Sequence, residues 1–239
     1  MCQLCEDTTA SRRGFLRMAA AGIASGLVVA VPRALAAGGP TTALTADEAL
    51  ARLKAGNEKF VKSPEVCSAE LARQRGGSAG HQTPWATIVA CADSRVPPEL
   101  LFGGLGIGEL FVARNAGNMA DMATMGTIEY GSAVLGVPLI VVLGHERCGA
   151  VAAACEVVEK KTKFPGSIGP MVEAIVPAAR AVAGKPGDFV DNAVRESALR
   201  TARKIASGSP LVADLVKKGK VKVVAGRYDL DDGRVEFFG

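Results

Sequence analysis

Cysteine, alone or with histidine, a side chain suited to soft and borderline metal ions, stands in this sequence at two places with the same setting. The stretch "VVLGHERCGAV", residues 141–151, is an apolar run that ends in His145, one of only two histidines, with Cys148 three positions later. A second apolar run, "WATIVACADSRV" at residues 85–96, ends in Cys91 with Asp93 and Arg95 close behind. Two thiolates and one imidazole with an open fourth position describe a catalytic zinc site. Asp93 is either the fourth ligand or a neighbour of the ligands. Each set alone is weak evidence, because buried cysteine is a common small core residue and HxxC arises by chance. Their occurrence together at the ends of two apolar runs is what points to a metal. Zinc lowers the pKa of a bound water from about 15.7 toward about 7, which yields hydroxide at neutral pH. Two thiolates donate more charge than imidazoles, so here that water should ionise somewhat higher. Asp93, paired with Arg95 instead of the metal, would accept the hydroxide proton and orient the nucleophile.

Something must bring the two sets together. Both apolar runs are short and rich in β-branched residues, as buried strands are. "ELFVARN" (109–115), "PLIVVLG" (138–144) and "VKVVAGRYD" (221–229) complete the strand expectations, and "RVEFF" reads as an edge at the C-terminus. Helical patterns lie between them, at residues 122–135, 147–160, 172–183 and 190–207. A first helix follows Thr45, which stands at capping-box spacing from Glu48 and precedes Leu50, Leu53 and Phe60 at helical intervals. Strands alternating with helices predict an α/β fold, a mostly parallel sheet flanked by helices in a single domain. Such sheets bind ligands beyond the carboxyl ends of their strands, where both Cys91–Asp93–Arg95 and His145–Cys148 fall. Met119, Met122 and Met125 are helix-spaced and read as core. "GGLGIG" (103–108) lacks GxGxxG spacing and reads as a turn before a strand.

"CADSRV" followed about fifty residues later by "GHERCGAV" resembles the β-class carbonic anhydrases, and the likeness runs on through "ELFVARNAGN" and "GTIEYGSAVLGV". The resemblance implies one zinc per chain on Cys91, His145 and Cys148, with Asp93 and Arg95 as a dyad and Asp93 able to join the metal. It further implies substrate-binding positions at Gln82, Phe111, Tyr130 and Gly149, with Gln82, Phe111 and Tyr130 reaching the zinc of a neighbouring subunit in a homodimer or higher homo-oligomer. Some members carry Trp three residues before the first cysteine, associated with an inhibitory bicarbonate site; Ile88 stands there in this sequence. The pattern is therefore similar to the Gln-containing, open-site subtype. Ala92 replaces the serine that many members carry. The implied reaction is reversible hydration of CO2 to bicarbonate and a proton by zinc-bound hydroxide. Two other readings keep the same residues: a COS or CS2 hydrolase on this fold, or a non-catalytic zinc- or bicarbonate-binding protein.

The first 36 residues differ in character. "SRRGFLR" sets Arg12 and Arg13 before a small-residue apolar stretch that closes at "ALA", residues 34–36. This resembles a cleavable twin-arginine export signal, and its apolar run is shorter than the roughly 20 residues of a spanning helix. The expected organisation is a signal at 1–36 and a catalytic domain at 37–239, periplasmic or secreted, without stable membrane insertion once the signal is removed. Export of folded chains by that route reconciles metal-bound thiolates with an oxidising destination. Cys2 and Cys5 form a lone CxxC in the leader, Cys67 stands alone, Cys155 reads as core, and His81 reads as a loop residue. Net charge is +4, and without Arg12, Arg13, Arg17, Arg33, Glu6 and Asp7 it is +2. That balance offers no nucleic-acid surface.

Overall fold

The computed structural model describes residues 41–63, 78, 81–103 and 106–239. The twin-arginine segment, Cys2, Cys5 and Cys67 lie outside the described residues. Helix α1 (Ala46–Lys62) starts at the expected capping box, with Thr45 and Glu48 each closing on the other's backbone. It buries Ala49, Leu53 and Asn57, a stripe at intervals of four. Gly56 sits where α1 crosses the end of a short helix, α2 (Pro98–Leu101). A Cβ there would stand 2.0 Å from the Phe102 carbonyl oxygen, so only glycine permits this approach.

Strands β1 (Ala86–Cys91), β2 (Leu110–Asn115), β3 (Leu139–His145), β4 (Lys222–Tyr228) and β5 (Val235–Phe238) form one sheet in the order β2-β1-β3-β4-β5. All pairings are parallel except the last, which is antiparallel. β1 and β3 are buried along their whole length, as two-sided cover requires of uninterrupted apolar runs. On one face Leu53, Ile88, Val141 and Val224 pack in a core that includes Phe102. On the other Val89, Ile140, Val142 and Ala225 meet Ala198, Ile205 and Val212, which come from α7 (Phe189–Gly208) and α8 (Pro210–Lys217). A third cluster joins Cys91, Cys148 and Cys155 to Val151, Ile175 and Val194. It lies among α4 (Gly149–Lys160), α5 (Ile168–Glu173), α6 (Val176–Val182) and α7.

Several expectations need correction. The helix at 122–135 is α-helical only as α3 (Met122–Glu129) and continues as a π-helical segment, Tyr130–Val134. There Gly131 approaches Thr87 and Phe111 so closely that a Cβ would lie 2.9 and 3.0 Å from their side chains. The helix predicted from 147 begins at Gly149, because Arg147 has φ +52° and Cys148 is an extended cap. The one at 172–183 is two helices, and α8 was not expected. Met119 precedes α3 and Met122 is 91% exposed at its first position, so the three methionines share no helical face. Cys155 is buried as expected. Among the described residues no helix is long and apolar enough to cross a membrane.

Candidate metal centre

Parallel register brings the two chemical sets together. Ala90 stands opposite Leu143, so β1 and β3 end side by side, delivering Cys91 and His145, and the turn after β3 returns Cys148. All three side chains are buried, and their ligand atoms lie within 4.8 Å of one another. The two sulfurs are 4.0 Å apart. His145 Nδ1 lies 2.9 Å from the carbonyl oxygen of Glu146 and donates to it, which leaves Nε2 with its lone pair. That Nε2 is buried and has no hydrogen-bond partner. An orphaned ring nitrogen beside two thiols costs free energy unless something positive sits among them. The two thiols are pulled apart: the hydrogen bond from Cys148 holds Cys91 down, while Cys91 and burial push Cys148 up. A divalent cation would make both thiolates. The donor set S, S, N with a fixed imidazole therefore fits zinc.

Asp93 sits beside this triad. Arg95 holds both its carboxylate oxygens, Nε to Oδ1 at 2.9 Å and Nη2 to Oδ2 at 2.7 Å, and its amide adds a bond to Oδ1 at 3.0 Å. These bonds keep the Asp93 carboxyl far below the usual range, against the opposing effect of burial. Asp93 Oδ2 is nevertheless only 3.8 Å from His145 Nε2.

The sequence model of the carbonic anhydrase family matches residues 86–235. Carbonic anhydrase 2 of Mycobacterium tuberculosis is 38% identical over 182 residues, 76% of this chain and 87% of that one. The chain belongs to the β-class carbonic anhydrases. A carbonic anhydrase of Pseudomonas aeruginosa is 36% identical over 171 residues, 66% of this chain and 74% of the relative. The β-carbonic anhydrase of Coccomyxa, solved with acetazolamide, superposes with a TM-score of 0.60 at 28% identity, over 75% of this chain and 82% of that one. The protein is thus a zinc-dependent enzyme of CO2 hydration, and Cys91, His145 and Cys148 form a cluster able to hold a metal.

Two supports of this carbonic anhydrase site had no signal in residue type. Arg114 on β2 donates to the carbonyls of Cys91 at 2.8 Å and Asp93 at 2.6 Å, fixing the turn that carries Asp93. Gly117 donates its amide to Cys91 Sγ at 3.4 Å. It does so because Asn115 closes the 115–119 loop through both its amide atoms onto Met119. Gly117 has φ +82°, and a Cβ there would meet Ile175 at 2.6 Å. Only the run Asn-Ala-Gly-Asn, a turn composition, could have hinted at this loop.

The expected substrate-binding residues divide into two groups. Gly149 begins α4 directly after Cys148. Phe111 stands opposite Thr87, four residues before Cys91 on β1, hence about 13 Å up the strand from the triad. Tyr130 tilts against Phe111 with ring centroids 6.0 Å apart. Gln82 lies by the turn that enters β2, 3.9 Å from where a Cβ on Gly108 would stand. Gln82, Phe111 and Tyr130 are therefore gathered at the amino end of the sheet, away from their own chain's Cys91.

Proposed function

We propose that CO2 is hydrated at the Cys91–His145–Cys148 site by a gate and a shared pocket. When bound, zinc supplies the Lewis acidity that makes water a nucleophile near neutral pH. The observation that carries the reading is the buried, unpartnered Nε2 of His145 beside two sulfurs. Asp93 belongs to the gate: engaged by Arg95 it leaves the metal open and accepts a hydrogen bond at its carboxylate, orienting the nucleophile, and disengaged it is near enough to close the site as a ligand. Gly149 lies beside Cys148 with nothing within 4 Å of where a Cβ would stand, leaving room for substrate. Gln82, Phe111 and Tyr130 supply the remaining wall to a neighbouring subunit, in keeping with their distance from their own triad and with the Gln-containing, open-site pattern. The assembly is a homodimer or a larger homo-oligomer. Zinc analysis with stopped-flow CO2 hydration tests the site: one zinc and rapid hydration in the native chain, and loss of most metal and activity in Cys148→Ser, because two remaining ligands hold zinc poorly. Full zinc in that variant would sink the ligand assignment.

Residues 1–36 act as a twin-arginine signal and residues 37–239 as the catalytic domain, which reaches the periplasm or exterior already folded. The support is the Arg12–Arg13 pair ahead of a short apolar run. Replacing both arginines with lysine should strand active, zinc-loaded precursor in the cytoplasm; undiminished activity outside would reject the signal.

A further inference from the structure

Two residues, Glu146 and Arg147, separate the ligands His145 and Cys148, and their side chains turn away from the metal toward the β4–β5 connection. Arg147 has φ +52°, a left-handed conformation that is costly for a residue with a Cβ, so something outside the loop must hold it there. Its guanidinium grips Asp231 with both terminal nitrogens, at 3.1 and 2.5 Å, and lies 3.3 Å from Glu146. The Glu146 carboxylate accepts the Leu230 amide at 3.1 Å, and the Glu146 amide donates to the Tyr228 carbonyl at 2.9 Å.

The turn on the other side of these contacts is itself braced. Asp229 Oδ1 accepts the amides of Asp231 and Asp232 at 2.9 and 3.2 Å, and Arg227 donates to Asp229 at 2.8 Å and Asp191 of α7 at 2.5 Å. Buried Asn57 of α1 donates to the Gly233 carbonyl and accepts the Val235 amide, at 2.9 and 2.8 Å. The acidic trio Glu146, Asp229 and Asp231 could by spacing hold a cation, but the guanidinium groups of Arg147 and Arg227 already neutralise it. Its arrangement is that of a fastening: a short loop tied to a post built from α1, β4, β5 and α7.

We propose that the β4–β5 turn latches the metal loop, with Asp231, acting through Arg147, a positioning residue that keeps His145 and Cys148 facing one point and so slows the escape of zinc. The inference rests on the zinc reading of the triad. Outer contacts of this kind change metal affinity by about 10- to 100-fold, and an exposed pair belongs at the low end.

The test is the rate at which the zinc-loaded full chain gives up its metal to a chromogenic chelator in excess. Asp231→Ala should release zinc about tenfold faster than the native chain, and Asp231→Glu should stay within about twofold of it. Raising ionic strength should speed release from the native chain more than from Asp231→Ala, which keeps only the Arg147–Glu146 pair to screen. Both variants alter an exposed turn side chain, so each should fold. Release from Asp231→Ala at the native rate, or equal acceleration in Asp231→Glu, would overturn the latch while the metal site stands. A native chain that retains no zinc would sink the metal reading and the latch with it.

Discussion

At the scale of single residues, Asp93 is the side chain whose state matters most, and Arg95 sets that state. A carboxyl whose pKa is lowered by folding adds stability above its unfolded value of about 3.9 and loses it only as the pH falls through the lower folded value. The Asp93–Arg95 pairing, held far below that range, should thus persist through mild acid. Arg95→Ala should let Asp93 close on the metal and lower CO2 hydration by about a hundredfold or more with zinc still bound, read by stopped-flow hydration alongside metal analysis. Native activity in that variant would remove the gate. The clustering of Cys91, His145 and Cys148 was legible in the sequence because their chemistry resides in residue type: few reasons exist for an apolar strand to end in His145 with Cys148 three residues on. Arg114 was illegible because its role is made by register. It reaches the Cys91 carbonyl only because β2 lies beside β1 with Arg114 opposite Ala90, a relation that no local pattern encodes.

Between elements, the closest approaches fix where the site can be. Gly56 brings α1 against the end of α2, and Gly56→Ala would drive a methyl into the Phe102 carbonyl. Overpacking of this kind costs about 1–3 kcal/mol, which should appear in chemical denaturation as a lower midpoint with an unchanged slope; an unchanged midpoint would mean that α1 can shift freely. Periodicity and capping residues marked α1 to its ends and placed the five strands, since those signals belong to each segment alone. The break into π-helix at Tyr130 escaped because the residues from 122 to 135 keep one apolar rhythm, and the cause is external, the contact of Gly131 with Thr87 and Phe111 across the core. The split between α5 and α6 differs, for it carries a local mark, Pro177 in the first turn of α6, which interrupts a helix running through it.

For the whole molecule, the sheet has two unequal ends. The carboxyl end holds the Cys91–His145–Cys148 cluster and the amino end gathers Gln82, Phe111 and Tyr130, with edge strand β2 leaving Leu110, Phe111 and Val112 only half-buried. Under the shared-pocket reading proposed above, one chain completes its pocket only by meeting another. Co-expressing Cys91→Ser with Gln82→Ala should regenerate one intact site in each mixed dimer, so activity should exceed the mean of the parents; the bare mean would disprove sharing. Assembly of this kind was read from resemblance alone, because a half-buried edge looks like any amphipathic strand in one dimension. The side-by-side endings of β1 and β3 also bear on folding. Cys91 and His145 are about fifty residues apart in the sequence and adjoin only after β1 has paired with β3, a non-local event that comes late and slowly. Zinc therefore finds its full ligand set only in a nearly finished fold, so it should leave the folding rate almost unchanged and act instead as a brake on unfolding.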